Sequence, residues 1–133
     1  MPTREKFLSL LSSAKYDLAT AEVMQASVRW LEMCVACREA LEKQIMGLYD
    51  LYLEVDPPDK SAASGLFEAL RSKLPQPIDA ERESVLLELL SLHLDVSDAE
   101  EEASSMSCMD EKEALQVLDQ TKEIFAWLLT LAP

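Results

Sequence analysis

The chain has 133 residues, 49% of them hydrophobic and only two of them glycine, with 25 acidic against 12 basic side chains and a formal net charge of −13 at pH 7. That length suits a single domain, residues 1–133, able to bury a core without disulfides or metals, and the shortage of glycine beside abundant Leu, Ala, Glu, Lys and Met argues for an all-α fold. The charge opposes a nucleic-acid partner over most of the surface, and no Lys/Arg cluster marks a local exception.

Thr3 to about Ala26 carries Phe7, Leu11, Ala14, Leu18 and Ala21 at alternating steps of four and three, which puts them on one face of a helix. After a short break around Gln25 to Ser27, Leu31, Val35, Leu41, Ile45, Leu48 and Tyr52 mark a second and long helix to about Val55, with Arg38 on the same face. Asp56-Pro57-Pro58-Asp59 ends it, since proline lacks a donor and pushes its predecessor towards extended backbone. Leu66, Phe67, Leu70 and Leu74 predict a short third helix, which Pro75-Gln76-Pro77 stops. Asp79 is placed to cap a fourth helix bearing Val85, Leu86, Leu89, Leu90 and His93.

Residues 95–110 or so, DVSDAEEEASSMSCMD, lose the apolar pattern and read as a solvated acidic connection. Asp110 and Glu113 have the spacing of a cap and its reciprocal acid. The last helix then runs to about Leu131. Its apolar residues, Ala114, Leu118, Phe125 and Leu128 joined by Leu115, Ile124, Trp127 and Leu131, spread over much of the circumference, as expected of a central helix or a subunit interface. The longest apolar stretch, Ile124 to Ala132, is roughly half of the ~20 residues a membrane span requires. An odd number of cysteines and a first segment, MPTREKFL, without a long apolar core point to a reducing, cytoplasmic setting.

Few residues carry obvious chemistry. Cys34 and Cys37 form a Cys-x-x-Cys pair that, with Cys108 and His93, would complete a Cys₃His zinc set. Val35 and Ala36 continue a helical pattern across the pair, however, and no glycine shapes a metal-binding turn, so packing is the preferred reading and no metal or other cofactor is expected. The pair would also lie inside a helix rather than at its start, where a dipole lowers a thiol pKa in redox motifs. His93 is the only imidazole, and a half-buried place at the core edge is preferred for it over acid/base work. There is no Gly-x-Ser-x-Gly elbow and no glycine-rich phosphate loop. Glu100-Glu101-Glu102 reads first as a solvated face and second as a docking segment for a basic partner.

The order of the segments resembles the HEPN family, the higher eukaryote and prokaryote nucleotide-binding domain. AKYDLATAEV, with Ala14, Asp17, Leu18 and Ala21, is similar to that family's first helix. Ala36, Glu39, Lys43, Ile45 and Leu48 are similar to its second, GLFEALRSKL to a short later helix, and ALQVLDQTKEIFAWLL to its closing one, with Thr121 where alanine is common. The resemblance implies an antiparallel up-and-down bundle of four longer helices plus one short helix, commonly dimeric. It also implies one of two roles: a metal-independent ribonuclease with an Arg-x₄₋₆-His motif, or a binding partner of a small nucleotidyltransferase, the arrangement of a toxin–antitoxin pair. Here no arginine stands five to seven residues before His93; the nearest preceding one, Arg82, is eleven away. Carboxylates follow the histidine where cationic groups would be needed to stabilise a phosphate transition state.

The expectation is therefore a non-catalytic member that forms a homodimer and binds a nucleotidyltransferase-type protein, with a nucleotide as a further ligand. Arg38, Lys43, Arg82 and His93 are the candidate ligand or partner contacts. An acidic adaptor docking through Glu100, Glu101 and Glu102 is the alternative, and a degenerate ribonuclease using Arg82 and His93 is a further one.

Overall fold

The computed structural model describes residues 2–54, 63–74, 78–91 and 111–131, in which there are five helices and no strand. They are α1 (Pro2–Ala26), α2 (Trp30–Leu53), α3 (Ala63–Arg71), α4 (Ala80–Leu90) and α5 (Glu111–Leu131). His93, Glu100, Glu101, Glu102, Cys108, the acidic connection and the Asp110 cap lie outside the described residues.

The periodicity is borne out on α1, α3, α4 and α5, and on the second half of α2 at Leu41, Ile45 and Leu48; in its first half the buried face is Met33, Cys34, Ala36, Cys37 and Ala40, with the expected Leu31 and Val35 only half-buried. On α1, Ala14 and Ala21 are fully buried, and Phe7, Leu11 and Leu18 pack partly buried against the core. On α5, seven apolar residues expected to face inward are buried, from Ala114 to Leu131, while Leu115 is half-buried. The short α3 buries Leu66, Phe67 and Leu70, and the Phe67 ring meets Trp127 of α5 at 6.2 Å between centroids, tilted by 53°. Asp79 caps α4 as its position predicts: its Oδ1 accepts hydrogen bonds from the backbone N–H of Glu81 and Arg82 at 3.0 and 3.3 Å.

Side-chain contacts fix the helix directions. Lys43 reaches Ser13 and Asp17, Lys6 reaches Asp50, and a side chain at Gly47 would meet Phe7 and Leu10. Residue numbers fall on α1 as they rise on α2, so the two helices are antiparallel. Towards α5 the numbers rise together: Cys37 lies by Thr121, the Gln44 amide donates to the Phe125 carbonyl, and the Tyr52 hydroxyl donates to the Leu131 carbonyl. Helices α2 and α5 are therefore parallel, as alternate members of an up-and-down bundle are. Gly47 is where α1 comes closest: a Cβ there would lie 3.3 Å from Phe7 Cδ1. The close approach accounts for a residue that otherwise costs a helix interior about 1 kcal/mol relative to alanine.

The α1–α2 corner is closed by a Schellman motif. The Arg29 N–H bonds to the Met24 carbonyl and the Val28 N–H to the Gln25 carbonyl, and between them Val28 takes a left-handed φ of 58°. Glycine is the usual occupant of that position, and a β-branched side chain there carries strain of about 1–2 kcal/mol. Val28 is 64% exposed, so little burial compensates. Val28→Gly should raise stability by about 1 kcal/mol after the greater freedom of glycine in the unfolded chain is subtracted, seen as a higher urea midpoint with unchanged slope. Asp79→Ala should lower it by about 1 kcal/mol through loss of the cap.

Candidate functional site

Helix α2 holds two of the expected contacts, Arg38 and Lys43, and they leave the helix about 140° apart because they are five residues apart in sequence. Lys43 points into the α1–α2 seam. Its Nζ lies 2.7 Å from Asp17 Oδ2 and donates to Ser13 Oγ at 2.9 Å, with both ends of the ion pair largely sheltered from water. Farther along the seam Lys6 lies 3.5 Å from the buried Asp50 carboxylate. Next to Lys43, the Gln44 amide nitrogen donates to the Phe125 carbonyl at 3.1 Å, while its buried Oε1 finds no donor among the described residues. A shallow groove, open to solvent, runs here between Phe7 and Leu11 of α1 and Leu128 and Leu129 of α5, with Lys43, Gln44 and Gly47 of α2 between them.

Arg38 shares its side of α2 with Glu42, one turn on. Burial raises the Glu42 carboxyl pKa, the Arg38 charge lowers it, and the neighbouring Glu39 raises it again. Arg82 is exposed in the first turn of α4, 3.7 Å from the carboxylate of Asp79. On the α3–α4 side Arg71 pairs with both Glu83 and, at 3.8 Å, Glu68. Arg38, Lys43 and Arg82 thus sit on different faces or helices, each with an acid nearby, and nothing among the described residues gathers them around one point. The geometry suits holding helices together more than neutralising a bound phosphate.

The Cys-x-x-Cys pair is settled by burial. Cys34 and Cys37 are 0% and 1% exposed and pack with Ala21, Met33, Ala36, Ala114 and Leu118 in a cluster separate from the main core. Burial, reinforced by the charge Cys37 would carry, pushes the Cys34 thiol from 9.0 up to about 12. Burial pushes Cys37 up to about 11, against the opposing pull of the Thr121 hydroxyl and the Lys122 charge. Thiols held protonated in this way are poor nucleophiles. No group of three or more His, Cys, Asp or Glu side chains among the described residues is arranged to hold a metal ion.

The family model of the HEPN domain matches residues 7–131. The chain belongs to the HEPN family. No curated protein and no solved structure matches it. The HEPN-like letters of the sequence meet in space: Asp17 of the first-helix motif pairs with Lys43 of the second, and Ala14, Ala21 and Ala36 supply the small buried surfaces that let those helices approach. Thr121, at the place where a HEPN closing helix commonly has alanine, is fully buried beside Cys37. None of the described helices of this HEPN protein is long and apolar enough to cross a membrane. The sequence reading did not single out Asp50, Gln44 or the partnership of Lys43 with Asp17. The available signal was a polar residue at a core-facing helical position, as at Gln44, one step before Ile45.

Two tests follow the seam and the thiols. Lys43→Met and Asp17→Asn should each destabilise, and the pair combined should cost less than the sum, with a coupling of about 1 kcal/mol in a double-mutant cycle of urea midpoints. The thiol pKa values of the fold stand above those of the unfolded chain, so their contribution is fully present below pH 9.0 and is lost as pH rises from there through the folded values near 11 and 12. The parent should therefore lose stability above pH 9.0 more steeply than Cys34→Ala/Cys37→Ala.

Proposed function

We propose that this HEPN protein is a non-nuclease binding subunit: it self-associates, docks a partner protein of the minimal nucleotidyltransferase type, and contributes to a nucleotide cleft at their junction. The observation that carries this reading is the disposition of positive charge. Metal-free cleavage of RNA needs cationic or proton-donating groups converging on one phosphate. In this chain Lys43 is paired with Asp17, Arg82 stands beside Asp79, and Arg38 lies in the field of Glu42. The sequence before His93 supports the same reading, since its nearest preceding arginine is eleven positions away and Glu100, Glu101 and Glu102 follow. The partner type is carried over from the family resemblance.

In this arrangement the exposed Arg82 and the half-buried Arg38 are the contacts offered to the partner or its nucleotide, and His93 is a contact rather than a catalyst. Co-expression with a nucleotidyltransferase encoded beside it should yield a complex that survives gel filtration, and ATP should raise the melting temperature of that complex by several degrees at saturating concentration. Arg82→Ala, at an exposed site, should reduce that shift without lowering the melting temperature of the protein alone. Absence of both the complex and the shift would remove the proposal. RNA cleavage by the parent that His93→Ala abolishes would instead establish a ribonuclease.

A further inference from the structure

Helix α1 carries apolar residues on two sides. Its inner seam, Phe7, Leu11, Ala14, Leu18 and Ala21, is used up against α2 and the core. A second row, Leu8, Ser12, Tyr16, Ala19, Val23 and Ala26, runs in steps of four or three on another side of the helix and is exposed throughout. Leu8, Tyr16 and Val23 keep 50%, 74% and 60% of their surface in water, the largest exposures of bulky apolar residues on any long helix described. The row is about 27 Å long at 1.5 Å per residue, a length that asks for another helix rather than a small ligand. In it, large residues alternate with small ones: Leu8, Tyr16 and Val23 against Ser12, Ala19 and Ala26.

We infer that this outer seam of α1 is the self-association surface, occupied by the α1 helix of a second copy running antiparallel across a twofold axis between residues 17 and 18. This deepens the dimer reading proposed above and rests on it. In that register Tyr16 lies over Ala19 of the second copy and Val23 over Ser12, so that these two bulky residues each meet a small one, and the twofold repeats both contacts, while Leu8 reaches past the end of the partner helix. A parallel pairing would stack Tyr16 on Tyr16 and Val23 on Val23 and leave gaps between them. The flanking charges agree with the antiparallel choice. Lys15 of one copy and Glu22 of the other fall about 3 Å apart along the axis, whereas the two Lys15 residues are about 7.5 Å apart and the two Glu22 residues about 13.5 Å. Opposite charges are thus nearest, twice over, in an otherwise acidic protein. The Glu22 carboxylate, 3.6 Å from Lys122 of its own chain and half exposed, is held on that flank.

Light scattering and sedimentation of the whole protein over a range of concentrations test this. The parent should be a dimer, and Ala19→Arg, which places a long charge under Tyr16 at an exposed helical site, should raise the dimer dissociation constant by at least about tenfold. Lys15→Glu and Glu22→Lys should each weaken the dimer several-fold, and the two together should restore it, because the exchanged charges again face each other. Thermal melts of the parent and Ala19→Arg at low concentration, where both are monomers, should coincide, which separates lost association from lost folding. A parent that stays monomeric at every concentration would overturn both this surface and the dimer reading. A dimer indifferent to Ala19→Arg, or one that the charge exchange fails to rescue, would overturn the surface alone and leave the dimer reading standing.

Discussion

The burial of α2 governs the rest of the bundle. With α1 on one side, α5 on another and α3 and α4 completing the enclosure, its inner faces have no water to satisfy a polar group, so a polar side chain on them must find its partner in a neighbouring helix. Lys43 does so in Asp17 and Ser13, Gln44 in the Phe125 carbonyl, Asp50 in Lys6, and Tyr52 in the Leu131 carbonyl. Apolar packing alone would tolerate a helix sliding by a turn. These pairings would not, because a one-turn slip leaves several buried polar groups without partners, at a cost of roughly 1–3 kcal/mol each. Hydrophobic burial supplies the stability, and the polar contacts of α2 specify the register.

The same accounting explains why the acidic excess does not weaken the interior. The charges drawn into the fold are the paired ones, while Glu5, Glu22, Glu54, Glu68, Glu81 and Glu88 are exposed, where solvent and salt screen their repulsion. A surface of this kind repels polyanions and resists indiscriminate association, so a partner has to be recognised by shape and by local charge arrangement rather than by bulk attraction. An HEPN protein built in this way is suited to few and well-defined contacts.

Most of the architecture was legible from the spacing of apolar residues, because a seam at steps of four and three has one structural outcome, as on α1; on α2 the spacing placed the helix but not the face of its first half, where Met33, Cys34 and Cys37 are buried and Leu31 and Val35 only half so. The Asp79 cap was legible for a similarly local reason: an acid just before a helical run has donors within two or three residues. The α1–α2 corner was not. Its left-handed residue is Val28, and the usual signal there would have been glycine. The partnership of Lys43 with Asp17 was equally hidden, though both letters had been noted, since it depends on how two helices register and on nothing within either. The outer seam of α1 escaped notice because the inner one already accounted for the helix. His93 and the Glu100, Glu101 and Glu102 run, which belong to the functional expectation, fall outside the described residues.

The two buried cysteines lend the molecule a property unrelated to redox chemistry or metals. Cys34 and Cys37 sit where the end of α1, the start of α2 and the start of α5 converge, in a cluster of their own beside the larger core around Phe67 and Trp127. A reagent can reach their sulfurs only when that end of the bundle parts. The rate at which they are modified therefore clocks the opening of one corner, independently of whether the other remains closed. Nature has placed two silent timers at the junction of three helices, and any ligand or second copy that tightens that junction would slow them.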